Sequence, residues 1–183
     1  MTPQMFLTRW RVRLGYPLAI ACFWLAHPSP RSLLICSALA VVGLINRGSA
    51  AGYLRKGSGL ATTGPYSRTR NPLYFGSTIL AAGFAVATGS WIAAACLAIY
   101  IAVFYPAVMR REEKDLRATY GAEFDAYAAR VPLFFPSLRG GSSGEGFSWA
   151  QYARNREYQA AIGTAVAIAI LCLRMWARAK WSV

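Results

Sequence analysis

Acidic residues are scarce in this chain. Seven Asp and Glu stand against twenty Lys and Arg in 183 residues, a formal charge of +13. The single histidine, His27, sits in a His-Pro-Ser-Pro turn, away from other ligand-type side chains. With one imidazole, neither a metal site nor a histidine-based nucleophilic triad has anything to be built from. The four cysteines, Cys22, Cys36, Cys96 and Cys172, form no C-x-x-C pair and all lie in apolar stretches, where they read as small buried hydrophobes. Charge itself is missing over one long run: residues 71–109, 39 in all, contain no Asp, Glu, Lys or Arg. One bilayer crossing takes about 20 apolar residues, so this run is long enough for two.

What is present fits that reading. The chain is 56% hydrophobic and 14% aromatic, with a mean hydropathy of +0.32, where soluble domains run at about 45–50% apolar. Three shorter charge-free stretches, 14–30, 32–46 and 158–173, flank the long one and reach spanning length with their neighbours. The expected fold class is all-α: one polytopic membrane-embedded bundle over 1–183, with about five transmembrane helices at 11–26, 32–53, 72–88, 91–111 and 157–176. Pro28 and Pro30 stop the first helix, Pro72 opens the third, and Gly89-Ser90 turns the chain into the fourth, where Pro106 is expected to kink it.

The basic residues flank the apolar stretches, so membrane topology accounts for them and no nucleic-acid partner is expected. With the N-terminus in the cytoplasm, sixteen Lys and Arg fall on that side and four on the other, as the positive-inside bias requires. Two segments then face the cytoplasm. Residues 54–71 are Gly-rich and basic. Residues 112–130 hold most of the acids and place Leu116, Tyr120, Phe124, Tyr127 and Val131 at helical spacing, the pattern of an amphipathic helix on the membrane surface. Gly121 is expected to break it, and Pro132 and Pro136 to end it. Residues 140–146 read as a flexible link.

A hairpin of the third and fourth helices has a short outer turn, so its free ends must meet on the cytoplasmic side. Those ends carry Arg68, Arg70, Asn71 and Tyr74 on one side and Arg110, Arg111, Glu112 and Glu113 on the other. Snorkelling anchors would account for the arginines. Paired acids at the end of a span add nothing to a positive-inside bias and call for another reason.

The run from Gly64 to Gly76, Gly-Pro-Tyr-Ser-Arg-Thr-Arg-Asn-Pro-Leu-Tyr-Phe-Gly, resembles the G-P-Y-x-x-x-R-H-P-x-Y-x-G signature of the isoprenylcysteine carboxyl methyltransferase and phospholipid methyltransferase family. A second signature of that family, E-E-x-x-L-x-x-x-[FY]-G-x-x-[FY]-x-x-Y-x-x-R-V-P, is matched by Glu112-Glu113, Leu116, Tyr120-Gly121, Phe124, Tyr127 and Arg130-Val131-Pro132. The match covers residues 60–136. Asn71 stands where the family usually has His; it keeps hydrogen-bonding capacity but cannot titrate.

The resemblance implies an S-adenosylmethionine-dependent methyltransferase of the bacterial inner membrane, its site facing the cytoplasm and its acceptor a lipid-like carboxylate, amine or thiol. It places the cofactor among Tyr66, Arg70, Asn71, Pro72, Tyr74, Gly76, Glu112, Glu113 and Tyr120. The glutamates suit the cofactor's positive groups, Arg70 and the start of the third helix its carboxylate, and the tyrosines its adenine. Arg130 is expected to hold an acceptor carboxylate in a bidentate fork, and Glu123 to serve as base for an amine or thiol. An NADPH-dependent membrane reductase of the steroid-reductase type and a non-enzymatic scaffold are the alternatives. The first should lack the glutamate pair; the second has no use for such a cluster.

Overall fold

Proline and serine set where the helices begin. The computed structural model describes residues 3–55, 59–138, 141 and 146–181. Helix α1 (Pro3–Trp24), α2 (Pro30–Tyr53) and α3 (Pro72–Thr88) all open on proline, which has no N–H to lose at a first helical position. Ser29 caps α2 in a reciprocal box with Ser32. Gly89 ends α3 in the left-handed conformation at φ 59°, and Ser90 caps α4 (Trp91–Tyr120) at once. Three further helices follow: α5 (Ala122–Ala128), α6 (Trp149–Arg154) and α7 (Tyr158–Trp181). Among the described residues there is no strand.

The expected all-helical architecture is present, with one correction of substance. The fourth helix does not stop near residue 111 to be followed by a separate surface helix over 112–130. Helix α4 continues through Pro106 and the acidic segment to Tyr120, 30 residues in all, and only Ala122–Ala128 forms a helix of its own. The reason is compositional: Arg110 to Tyr120 is rich in good helix formers and holds no Gly or Pro, so the change from apolar to charged marks an environment boundary, not a helix boundary. Gly121, at φ 51°, makes the break. The last helix begins where expected and runs on to Trp181. The expected link at 140–146 lies largely outside the described residues.

By length and composition α2, α4 and α7 can each cross a membrane, while α3, at 17 residues, is a shorter apolar helix. Their outer faces carry bare apolar side chains, among them Ile45, Trp91 and Leu173, which hydrocarbon would solvate. Packing inside follows the membrane rule of small residues at helix contacts. A Cβ on Gly43 would stand 2.9 Å from the carbonyl oxygen of Gly76, and one on Gly76 the same distance from that of Gly43. This crossing of α2 and α3 is the closest helix approach that the glycines mark. Helix α1 lies along α4, with Tyr100 against Gly15. At the end of the bundle away from Glu112 and Glu113 the α1–α2 turn joins the α3–α4 turn through His27 N–H to Thr88 O, 2.5 Å. There Arg174 of α7 donates to the carbonyls of Ala26 (2.8 Å) and Trp24 (2.5 Å), and Arg178 to Ala26 and the His27 ring. The basic end of α7 therefore satisfies the last carbonyls of α1.

Candidate functional site

The two signature segments are brought together by backbone hydrogen bonds. After α5 the chain from Val131 to Pro136 carries two prolines and cannot resume a helix. It lies instead along residues 68–71. Arg70 N–H donates to Pro132 O (2.9 Å), Thr69 Oγ1 to Phe134 O (2.9 Å), Asn71 Nδ2 to Leu133 O (3.0 Å) and Ser137 N–H to Arg68 O (2.8 Å). The apolar stripe read from the sequence makes the second clamp: Phe124, Tyr127 and Val131 form a buried cluster with Tyr120 and Leu60 against it. Leu116 is left exposed. The Tyr127 hydroxyl donates to Tyr66 O at 2.7 Å. Burial pushes the Tyr66 and Tyr127 hydroxyls well above the usual phenol range, so both remain protonated donors.

Between these clamps and the ends of α3 and α4 lies a cavity of about 780 Å³, within the range of small-molecule sites. Eight of the nine expected cofactor residues line it: Tyr66, Arg70, Asn71, Pro72, Tyr74, Glu112, Glu113 and Tyr120. The Tyr74 hydroxyl donates to Glu112 Oε1 at 2.6 Å, and its ring meets Tyr105 edge to face at 5.2 Å. Arg70 Nε stands 2.6 Å from Glu113 Oε1, yet its N–H is not directed at that oxygen, so the pair attract as charges and both buried atoms lack a hydrogen bond. Arg70 is steadied from behind by Nη1 donating to Ala128 O at 2.7 Å. Asn71 is the N-cap of α3 but makes no side-chain cap bond; its amide is spent on Leu133, which leaves the first N–H groups of α3 without a capping side chain.

The remaining expectations fall elsewhere. Gly76 is buried in the α2–α3 crossing, where a Cβ would also meet Arg47 Cγ at 2.6 Å, so its smallness serves helix approach and not the cavity wall. Glu123 and Arg130 do not line the cavity. Both are exposed, since α5 turns Phe124 and Tyr127 inward and leaves its other face to solvent, and Arg130 Nε donates back to Ala126 O at 3.2 Å.

Sequence reasoning missed the inner wall. Ser77, Tyr100 and Tyr105 line the cavity beyond Tyr74, and Arg47 of α2 closes it. Arg47 forms a two-pronged ion pair with Glu157, Nε to Oε1 at 2.5 Å and Nη2 to Oε2 at 3.0 Å, and its Nη1 donates to Ser77 Oγ and to Leu73 O. A signal existed. Arg47 is the one charge between Arg31 and Arg55, and Glu157 the one acid directly before the last apolar run.

The family model for phospholipid methyltransferases matches residues 10–123. The chain belongs to the phospholipid methyltransferase family. Two curated relatives are similar over most of their length. The nickel-cobalt-cadmium resistance protein NccN of Alcaligenes xylosoxydans xylosoxydans is 37% identical over 145 residues, 73% of this chain and 68% of the relative. The cobalt-zinc-cadmium resistance protein CzcN of Cupriavidus metallidurans is 37% identical over 145 residues, 73% of this chain and 67% of the relative. No solved structure matches. As a phospholipid methyltransferase family member with three helices able to cross a bilayer, the chain is an integral membrane protein. The matched region stops before Tyr127, Leu133 and Glu157, which nonetheless complete the site's framework.

Proposed function

We propose that this protein is an S-adenosylmethionine-dependent methyltransferase acting on a lipophilic acceptor at the cytoplasmic membrane face. The observation that carries the reading is that one cavity wall presents both signs of charge at close range, Arg70 Nε 2.6 Å from Glu113 Oε1 with Glu112 beside them. A ligand bearing both cationic and anionic groups is complementary to such a wall. S-Adenosylmethionine has that character, and when bound it supplies an electrophilic methyl group on a sulfonium.

The residues then divide the work. Glu112, oriented by Tyr74, and Glu113 face the positive groups; Arg70 and the uncapped first turn of α3 face the carboxylate. Ser77, Tyr100 and Tyr105 lie deeper along α3 and α4, and this inner wall receives the acceptor from the bilayer. The gain is alignment of the two reactants away from water. A carboxylate acceptor needs no base, so the exposed positions of Glu123 and Arg130 do not obstruct the chemistry; on this reading both belong to the surface. The relatives' names supply a setting: methylation in the membrane contributes to tolerance of metals such as nickel, cobalt, zinc or cadmium.

Purified protein incubated separately with radiolabelled S-adenosylmethionine and with NADPH tests the reading. Retention of the first alone, with label passing into a lipid-soluble product when membrane extract is added, is expected. Retention of NADPH alone would make the protein a reductase, and retention of neither would remove the cofactor assignment.

A further inference from the structure

The chain's few acids are concentrated at one place. Of seven in the sequence, Glu112, Glu113 and Asp115 line the cavity, and a fourth, Glu157, pairs with the lining residue Arg47. Among the described residues the lining cations are Arg47, Arg55 and Arg70. Without Glu157 the wall would be charge-balanced; with it, four carboxylates face three guanidiniums in a molecule otherwise strongly positive. Glu157 is 8% exposed, and its charge is weakly screened by solvent. The rest of Arg47 is already held by Ser77 and Leu73, and α7 is held independently by buried Leu171 and by Arg174 and Arg178 at the end of the bundle away from Glu112 and Glu113. The pair is therefore not the sole fastening of α7.

We propose that Glu157 is an electrostatic positioning residue: by neutralising Arg47 it leaves the cavity with one negative charge in excess, which favours a cationic methyl donor over its neutral product. This rests on the cofactor reading above. S-Adenosylmethionine carries a sulfonium, an ammonium and a carboxylate, net +1. Loss of the methyl leaves a thioether in S-adenosylhomocysteine, net zero. The cavity's attraction for the bound cofactor thus falls at the moment of transfer, and product release is eased. The turn that leads into the C-terminal helix, outside the matched family region, contributes the charge that does this.

The test measures the affinities of S-adenosylmethionine and S-adenosylhomocysteine for the full-length protein in detergent, by calorimetry. Glu157→Gln keeps shape and an acceptor oxygen but uncovers the Arg47 charge. It should lower the preference for donor over product by about tenfold, an effect of the size expected for one charge at intermediate effective dielectric. Arg47→Gln/Glu157→Gln, lacking both charges, should restore the original preference. A purely structural pair would weaken both ligands equally, and an unchanged ratio in Glu157→Gln overturns the proposal. If that variant does not accumulate folded, Glu157→Asp replaces it: drawing the carboxylate back by one methylene should shift the ratio the same way by about two- to threefold, and no shift overturns the proposal. Should the unaltered protein bind neither ligand, the cofactor reading itself has failed, a result distinct from equal loss of both.

Discussion

Glu112 and Glu113 are neighbours with different duties. Glu112 is exposed and held by the Tyr74 hydroxyl, whereas Glu113 is half-buried against the Arg70 guanidinium. Replacing each with Gln should therefore not be equivalent. Loss of a charge-assisted hydrogen bond costs about 1.5–3 kcal/mol, about ten- to hundredfold in cofactor affinity, and both variants should show it. Glu113→Gln should in addition lower the thermal midpoint, because it leaves Arg70 without its counter-charge in a half-buried site; Glu112→Gln should not. Equal midpoints for the two would mean that Arg70 does not depend on Glu113. The pair itself was legible in the sequence, since acids at the end of a span serve no topological purpose. Their separate partners were not, because one turns on a tyrosine 38 residues away and the other on which face of α4 meets Arg70.

At the scale of helices, turn chemistry was legible and continuity was not. Pro72, Gly89 and Gly121 act through their own backbone, so Pro72 and Gly89 bound α3 as read and Gly121 breaks the chain where a break was read, although the helix it ends is α4 itself. The junction at Arg110–Arg111 has no such residue, and the helix passes through it. Gly76 shows the opposite error. It belongs to a signature, which suggests the site, but its role is the approach to Gly43. Gly76→Val should force α2 and α3 apart against backbone, a rigid obstacle, at a cost of about 1–3 kcal/mol or more. The measurement is folded yield in detergent together with cofactor affinity per folded molecule. Reduced yield with near-normal affinity in the folded fraction is expected; normal yield with lost affinity would return Gly76 to the cavity.

For the whole molecule, hairpin geometry was enough to predict that two distant signatures converge, since a short outer turn leaves the free ends no other place. The join between α2 and the turn before α7 was not predictable in that way, for Arg47 and Glu157 are 110 residues apart and no connecting turn constrains them. The shared side of the converging ends is testable. Gly59 and Leu138 are both exposed and lie just outside the two signature segments, one before the first and one after the second. With Cys22, Cys36, Cys96 and Cys172 replaced, single cysteines at 59 and 138 should react alike with a membrane-impermeant thiol reagent, protected in intact cells and labelled after permeabilisation. Labelling of one alone from outside would break the hairpin arrangement.

The unbroken α4 has a consequence for where two dissimilar reactants can meet. Thirty helical residues extend about 45 Å, against about 30 Å of hydrocarbon. One rod therefore reaches from oil into water, carrying Tyr100 and Tyr105 below and Glu112, Glu113 and Asp115 above, on a single cavity wall. The rise from Tyr105 to Glu112 is two turns, about 10 Å, and is fixed by helix pitch, with no loop to slacken it. A greasy reactant and an ionic one can each stay in the solvent that suits it and still touch across that interval. On the methyl-transfer reading proposed above, α4 serves, in the language of synthetic chemistry, as the spine of a phase-transfer catalyst.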